Sequence, residues 1–371
     1  MTLVGGGSLG VGDARERGKK TVIKTRKIAP GVTLTRIAQK KIPRRTFVLR
    51  MDPSKAATLD VTLADDRLPS SAPVSGIARR VNAIAAVNGD FGSHVRPTHA
   101  FAQDGELVQT GADGALFAVR TDEQGAYLGT PRIAVSVTNR SNDQTWRIRD
   151  LNRNAPVLGD IVAFSPVGGT VAAPPAYMCS ARVLPAGPPT PVNGGVARDF
   201  MVDTARCSEE PMQRNGGVLL TAPPATDEAT MLLALSPGTP MELRWTSGWD
   251  DVFDMVGGIP MLVRDGKVVV QPCSSSFCRR NPRTAIGWTG AGEILLVVID
   301  GRQRRWSVGA SLVEMARVMR NLGAVQALNL DGGGSSTMVV EGEVVNRPSD
   351  GHERRITNAV VILPGSDPGE G

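Results

Sequence analysis

The apolar run from Ala324 to Leu330 leads straight into one carboxylate, then into three glycines and three hydroxyl residues, Asp331-Gly332-Gly333-Gly334-Ser335-Ser336-Thr337. A buried strand that ends in an acid and a glycine turn places that acid at a sheet edge, where loops build sites. Three consecutive glycines cost conformational entropy and pack nothing. They are tolerated where the backbone takes unusual angles or lies close to another group. Amides turned inward over such a run form a nest for an anion. The bland alternative is a tight turn between two strands. The combination with Ser335 and Ser336 favours a site.

The chain around this element reads as β-rich. Gly (42) and Pro (26) are abundant and aromatic content is 4%, which favours strands and turns over long helices. Polar and apolar residues alternate at Thr21–Thr25, Val32–Arg36, Thr46–Arg50 and Leu59–Leu63, the pattern of strands with one wet face. Pro73–Val81 predicts a short helix leading into a buried strand, Ala83–Val87. That strand ends in Asn88-Gly89-Asp90-Phe91, repeating the motif of apolar strand, polar side chain and glycine; Asn-Gly is also a strong hairpin signal. Phe101–Thr110 reads as a hairpin, and strands are expected at Ala115–Val119 and Ile133–Val137.

From Asp160 to Thr246, paired prolines interrupt short strands at Ile161–Phe164, Val196–Val202 and Met241–Trp245. Proline is excluded from central strands, so this region is expected to be loop-rich and to form an insertion or half-independent subdomain. The strand Asn281–Trp288 forms a hairpin with Glu293–Ile299, which ends in Asp300-Gly301-Arg302. Ser311–Leu322 predicts a helix, with Ser311 and Glu314 as a capping box and Gly323 as the stop. The segment 293–331 is then a strand–helix–strand unit with Asp300 and Asp331 at the carboxyl ends of two strands of one sheet. Open α/β sheets bind ligands at that edge. The expected fold class is mixed, β-rich α/β, with large twisted sheets and few helices. Residues 1–20, glycine-rich and then charged, are read as a tail outside the fold, and 21–365 as a single catalytic domain.

The formal charge of +6 is mild for 371 residues. It suits an anionic small substrate or an anionic polymer and does not call for nucleic acid. No apolar run is long enough to span a membrane, and the N-terminus lacks the apolar core of a signal peptide. Four cysteines fit two disulfides in three possible pairings. The local pairing Cys179–Cys207 with Cys273–Cys278 is the expectation here, with four free thiols as the alternative. The spacing is not that of a C-x-x-C zinc ligand pair. Disulfides imply an oxidising compartment, so a secreted or cell-envelope location is expected.

Several segments together resemble the phosphodiester glycosidases. They are Ala85–Phe91, Gly257–Leu262, Arg283–Gly287, Val298–Arg302, Ala327–Met338 and Val345–Asp350, in the order of that family. The likeness runs with gaps from Ile84 to Ile362 and is weakest at 160–246. One departure is Gly92, where the family usually carries a second aromatic after Phe91; that loop borders the expected sugar site. The resemblance implies hydrolysis of a sugar-1-phosphodiester at the anomeric carbon, on a small or polymeric glycan, releasing sugar and a phosphomonoester.

The residue types suit this chemistry. A phosphate leaving group is stable as an anion, so the demands are charge recognition, a carboxylate near the anomeric centre and contacts to hydroxyls. Asp331 is assigned as the base for water or the stabiliser of an oxocarbenium-like centre. Asp300 is the second carboxylate or a cation ligand, and Asn88 and Asp90 hold sugar hydroxyls or orient Asp331. Arg283 (with Thr284 beside it) or Arg302 binds phosphate through a planar guanidinium. Gly332, Gly333, Gly334, Ser335 and Ser336 offer amides and hydroxyls, and Asn329 is a supporting partner. Arg354 or Arg355 closes over the phosphate. His94, His99 and His352 receive no role. No metal site is assigned, although Mg²⁺ or Ca²⁺ is compatible with two carboxylates and nearby Asn and Ser. The competing readings are a phosphodiesterase that breaks the P–O bond and a non-catalytic module that binds anionic glycans.

Overall fold

The computed structural model describes residues 21–365 other than 56, 94, 121–124, 169–176 and 211; the N-terminal tail and His94 lie outside the described residues. The sheet that carries the site runs in the order Thr21–Ala29, Val32–Gln39, Arg44–Met51, Ile294–Ile299, Arg283–Thr289, Ala324–Asn329, Met261–Arg264, Lys267–Val268. Ile294–Ile299 and Ala324–Asn329 both pair antiparallel to Arg283–Thr289. They are therefore parallel to each other, and the expected strand–helix–strand unit is present. Its crossover is the helix Leu312–Asn321, which is capped as the sequence predicts. The Ser311 side chain accepts from the Glu314 N–H and the Glu314 carboxylate accepts from the Ser311 N–H.

A five-stranded sheet packs face to face with the first, in the order Glu343–Val344, Met338–Val340, Ala85–Asn88, Asn358–Pro364, Ala57–Leu63. The core between them holds Leu34, Leu49, Ile286, Leu296 and Leu328 from one side and Val61, Val87, Met338 and Val360 from the other. Leu312, Met315, Ala316 and Met319 of the crossover helix cover the outer face of the first sheet. The helix Val74–Arg80 covers the outer face of the second through Val74, Ile77 and Ala78. A second five-stranded sheet contains the predicted hairpin, Phe101–Gln103 with Glu106–Gln109.

The stretch expected to be loop-rich is instead built of long strands. Met178–Pro185 pairs with both Val218–Ala222 and Gly195–Ser208. Seven strands drawn from residues 134–246 thus close into a barrel. Trp146, Ile148, Phe200 and Trp245 fill it, with Leu232 of the helix Asp227–Leu233. Pro174-Pro175 lies outside the described residues, and the other two proline pairs do not interrupt these strands. Pro188-Pro189 lies between Met178–Pro185 and Thr190–Val192, and Pro223-Pro224 follows Val218–Ala222. Both disulfides form as expected, Cys179–Cys207 across neighbouring strands and Cys273–Cys278 within a short loop. No helix among the described residues is long and apolar enough to cross a membrane.

Candidate active site

The register of the first sheet explains why its end is polar. Arg283 pairs with Ile299, and Ala285 pairs with Asn329. Extending both ladders by two residues or fewer puts Arg283 beside Asp300 on one side and opposite Asp331 on the other. All three then sit at one edge.

Asn88 ties that edge to the second sheet. Its Oδ1 accepts from the Thr284 hydroxyl (2.8 Å) and the Thr337 N–H (3.2 Å), and its Nδ2 donates to the Asp331 carbonyl (2.7 Å). The Asp331 N–H donates to the Gly89 carbonyl at 3.1 Å. Asn88 is therefore a strut beneath Asp331, with its polar atoms already engaged. The Asn88-Gly89 pair makes no hairpin; a Cβ at Gly89 would run into the Asn358 side chain.

The glycine run is needed for close approach. Gly333–Ser335 forms a 3-10 turn, with Gly333 at φ +62°. A Cβ on Gly333 would lie 3.0 Å from Nη2 of Arg302, and one on Gly334 would strike Arg354 and Asp350. A Cβ on Gly332 would lie 2.9 Å from the Pro282 carbonyl. Two guanidinium groups thus rest against the bare backbone of this turn, a position that side chains would block.

Burial pushes the Asp331 carboxyl up to about 6, and the nearby Asp90 adds to that. The Ser335 hydroxyl, the Gly332 N–H (2.8 Å) and Arg354 pull the other way. Asp90 faces His99, which sequence reasoning left without a role. The Asp90 carboxylate meets His99 Nδ1 at 2.7 Å and accepts from the His99 backbone N–H at 2.8 Å. It also accepts from the Phe91 N–H at 2.7 Å, while Asn358 Oδ1 accepts from the Asp90 N–H at 2.8 Å. Side chains at Gly114 or Gly257 would collide with the His99 ring.

Arg283 is 2% exposed, yet among the described residues no carboxylate pairs with it. Nε donates to the Ala310 carbonyl (3.0 Å), and Nη2 to the carbonyls of Phe277 (2.5 Å) and Arg279 (2.7 Å). Among the described residues Nη1 has no protein acceptor. Burial and the neighbouring Arg302 push the guanidinium down to about 10. Two of the clamping carbonyls, those of Phe277 and Arg279, lie in and just after the ring closed by Cys273–Cys278. The Phe277 ring lies 5.5 Å from the guanidinium carbon and 6.0 Å from Phe91.

The other predicted residues divide. Asp300 reaches the edge but turns both oxygens to N–H donors. Trp306 Nε1 (2.7 Å), Asn346 Nδ2 (2.9 Å) and the Arg347 N–H (3.0 and 3.2 Å) hold it. The expected second carboxylate or cation ligand is thus a loop anchor, because N–H donors occupy the positions a cation would need. Burial raises its pKa. Among the described residues no cluster of three His, Cys, Asp or Glu side chains could hold a metal.

Arg302 donates to Asn281 Oδ1 (3.2 Å), and Arg354 pairs with Asp350 (2.7 Å). Arg355 turns away to the Ser71 loop, so of the two only Arg354 reaches the glycine turn. His352 is exposed. Asn329 is fully buried, donating to the carbonyls of Ile259 (2.6 Å) and Leu330 (2.9 Å). Its Oδ1, like the hydroxyls of Ser336 and Thr337, is buried with no protein partner among the described residues. Sequence reasoning missed His99, Asn346, Asn358 and the carbonyls of the disulfide loop. Backbone carbonyls leave no mark in a sequence, but the His99 spacing after Asp90 was visible.

The family model of phosphodiester glycosidase matches residues 189–363. The N-acetylglucosamine-1-phosphodiester alpha-N-acetylglucosaminidase of Bos taurus is 30% identical over 110 residues, 26% of this chain and 20% of that protein. An SPbeta prophage-derived uncharacterized protein of Bacillus subtilis (strain 168) is 39% identical over 83 residues, 22% of this chain and 13% of that protein. The chain thus spans at most 20% of the length of these two relatives. A putative exported protein from Burkholderia pseudomallei shares the fold, with a TM-score of 0.69 at 22% identity over 94% of this chain and 97% of that one. The matched stretch contains Arg283, Asp300, Asp331 and Arg354, while Asn88, Asp90 and His99 precede it. By these matches, residues 189–363 of the chain are similar to the phosphodiester glycosidase family.

Proposed function

We propose that the protein hydrolyses a sugar-1-phosphodiester at the anomeric carbon. The observation that carries this reading is Arg283. A buried arginine without an acid, beside a second arginine, is a costly arrangement unless an anion completes it. Nη1 of Arg283, with Arg302 and Arg354, takes the phosphodiester charge over the glycine turn. Asp331 accepts the proton of a water whose oxygen bonds to C1. The C1–O bond breaks with its electron pair going to the phosphate oxygen, and the phosphomonoester leaves as an anion that needs no proton. A carboxyl near 6 is largely ionised at neutral pH, yet basic enough to take that proton. The Asp90–His99 pair holds the loop on the other side, and Asp90 helps to keep the Asp331 carboxyl up. The two disulfides fit an oxidising, extracytoplasmic setting, and hence an exported or envelope glycan as substrate.

The test is turnover of chromogenic sugar-1-phosphodiesters beside the matching simple glycosides, with and without a chelator. Cleavage confined to the phosphodiesters, with oxygen-18 from water entering the sugar, supports the reading. Label in the phosphate identifies P–O cleavage and overturns it. Binding of an anionic glycan without turnover would identify a non-catalytic module instead.

A further inference from the structure

Beyond the catalytic edge, the chain makes a tight turn, Arg302-Gln303-Arg304-Arg305-Trp306. It is closed by hydrogen bonds from the Gln303 N–H to the Ser307 carbonyl (3.0 Å) and from the Ser307 and Trp306 N–H groups to the Gln303 carbonyl (2.7 and 2.8 Å). Gln303, Arg304, Arg305, Trp306 and Arg347 line a concavity of about 710 Å³. A run of basic residues on a surface is ordinarily a solvated face, and three features set this one apart.

The first is rigidity. Trp306 is pinned by its Nε1 to Asp300, the Arg45 guanidinium lies 4.6 Å and that of Arg347 6.0 Å from its ring centroid, and Gln303 Nε2 holds the Arg347 carbonyl at 2.9 Å. The second is unmatched charge. Several surface arginines elsewhere pair with acids, as in Arg140–Glu242, Arg149–Asp160 and Arg182–Asp203, whereas this turn gathers unpaired ones at one place. Among the described residues, no ion pair takes Arg45, Arg302, Arg304, Arg305 or Arg347. The third is continuity, because the turn begins at Arg302, whose guanidinium rests on Gly333 in the site.

We infer that this arginine turn is a second anion subsite, which holds the next phosphodiester of a glycan whose sugars are joined by repeated phosphodiester links. The inference rests on the reading of the site given above. It makes a polymer, rather than a single sugar phosphodiester, the preferred substrate. The first phosphate sits over the glycine turn, and the second against Arg304, Arg305 and Arg347. Such a subsite adds attraction without touching the reacting bond, so it acts on capture of the substrate.

The experiment compares wild type with the double variant Arg304→Ala/Arg305→Ala. The substrates are a chromogenic sugar-1-phosphodiester with one phosphate and an oligomer of the same sugar carrying several. Wild type is expected to show kcat/KM about tenfold higher on the oligomer, with the advantage shrinking as salt rises. The variant is expected to match wild type on the monomer and to lose the oligomer advantage through KM. Equal loss on both substrates, or no loss on either, overturns the inference and leaves the reaction assigned to the site standing. Loss of binding to single-stranded DNA or to anionic vesicles, with oligomer turnover intact, would give the patch to another class of polyanion and also overturn it. Wild-type protein that cleaves neither substrate overturns the reading of the site, and this inference with it.

Discussion

The end of the first sheet and the barrel of residues 134–246 use the same strands and turns to opposite ends. Arg283 and Asp300 are both buried at the sheet end, with the largely enclosed Asp331 beside them and the buried Asp90 and His99 packed behind. Among the described residues the barrel buries no charged side chain; its interior is Trp146, Phe200 and Trp245, and pairs such as Arg182–Asp203 lie on its surface. Buried charge costs stability unless something compensates it. One region holds that cost at a single edge, and the other has the makeup of a scaffold. The barrel thus shows what these strands look like when they do nothing but pack, and the sheet end departs from it at Arg283, Asp300, Asp90 and His99.

Asp331→Asn tests the contrast most severely. Turnover should fall by about 10³-fold or more, since a positioned base typically contributes 10²–10⁴. The fold should not suffer. The native state binds this proton more tightly than the unfolded chain, so the group favours folding in acid and costs stability as pH rises from about 4 to about 6. At pH 7 the variant should therefore be more stable by about 1–3 kcal/mol, read as a higher melting midpoint. A variant that is both inactive and unfolded would break the contrast.

Arg283→Met should weaken binding of inorganic phosphate by about 10- to 100-fold, the worth of a lost charged hydrogen bond, and should also lower stability by freeing three carbonyls. Calorimetric titration reads the first effect, and thermal melting the second. The pH profile should follow the same logic. Because Asp331 must be ionised to act, kcat/KM should decline about tenfold per unit as pH falls below about 6. A flat profile between pH 4 and 7 would remove Asp331 as the base. The smallest effect belongs to the barrel. Arg182→Ala, which removes the pair with Asp203, should shift stability by no more than about 1 kcal/mol and leave kcat/KM unchanged.

Much of the site end was readable from residues alone, because its signals are local. The capping box of Ser311 and Glu314, the apolar run before Asp331 and the hairpin before Asp300 each declare themselves within a few positions. Asn88 was visible as a strand-end polar group, but its task was not. Whether an amide holds a sugar or a backbone carbonyl depends on what lies across the sheet. Asp300 misled for the same reason, since its donors arrive from Trp306, Asn346 and the Arg347 amide. The barrel stayed hidden because closure is a matter of pairing: nothing in Met178–Pro185 announces that it has two neighbours. Pro188-Pro189 and Pro223-Pro224 read as interruptions, although they fall between strands.

The strand Asn358–Pro364 lies between Ala57–Leu63 and Ala85–Asn88, and its first residue is the one that receives the Asp90 amide. Every other strand of that sheet is therefore synthesised before this interior strand arrives. Until it does, Ala57–Leu63 waits as an open edge and the loop of Asp90 and His99 has no anchor. Closing so long a loop comes late in folding. The emerging polypeptide is thereby kept silent, and a chain truncated just before Asn358 should hold every group assigned to the chemistry and still fail to assemble them.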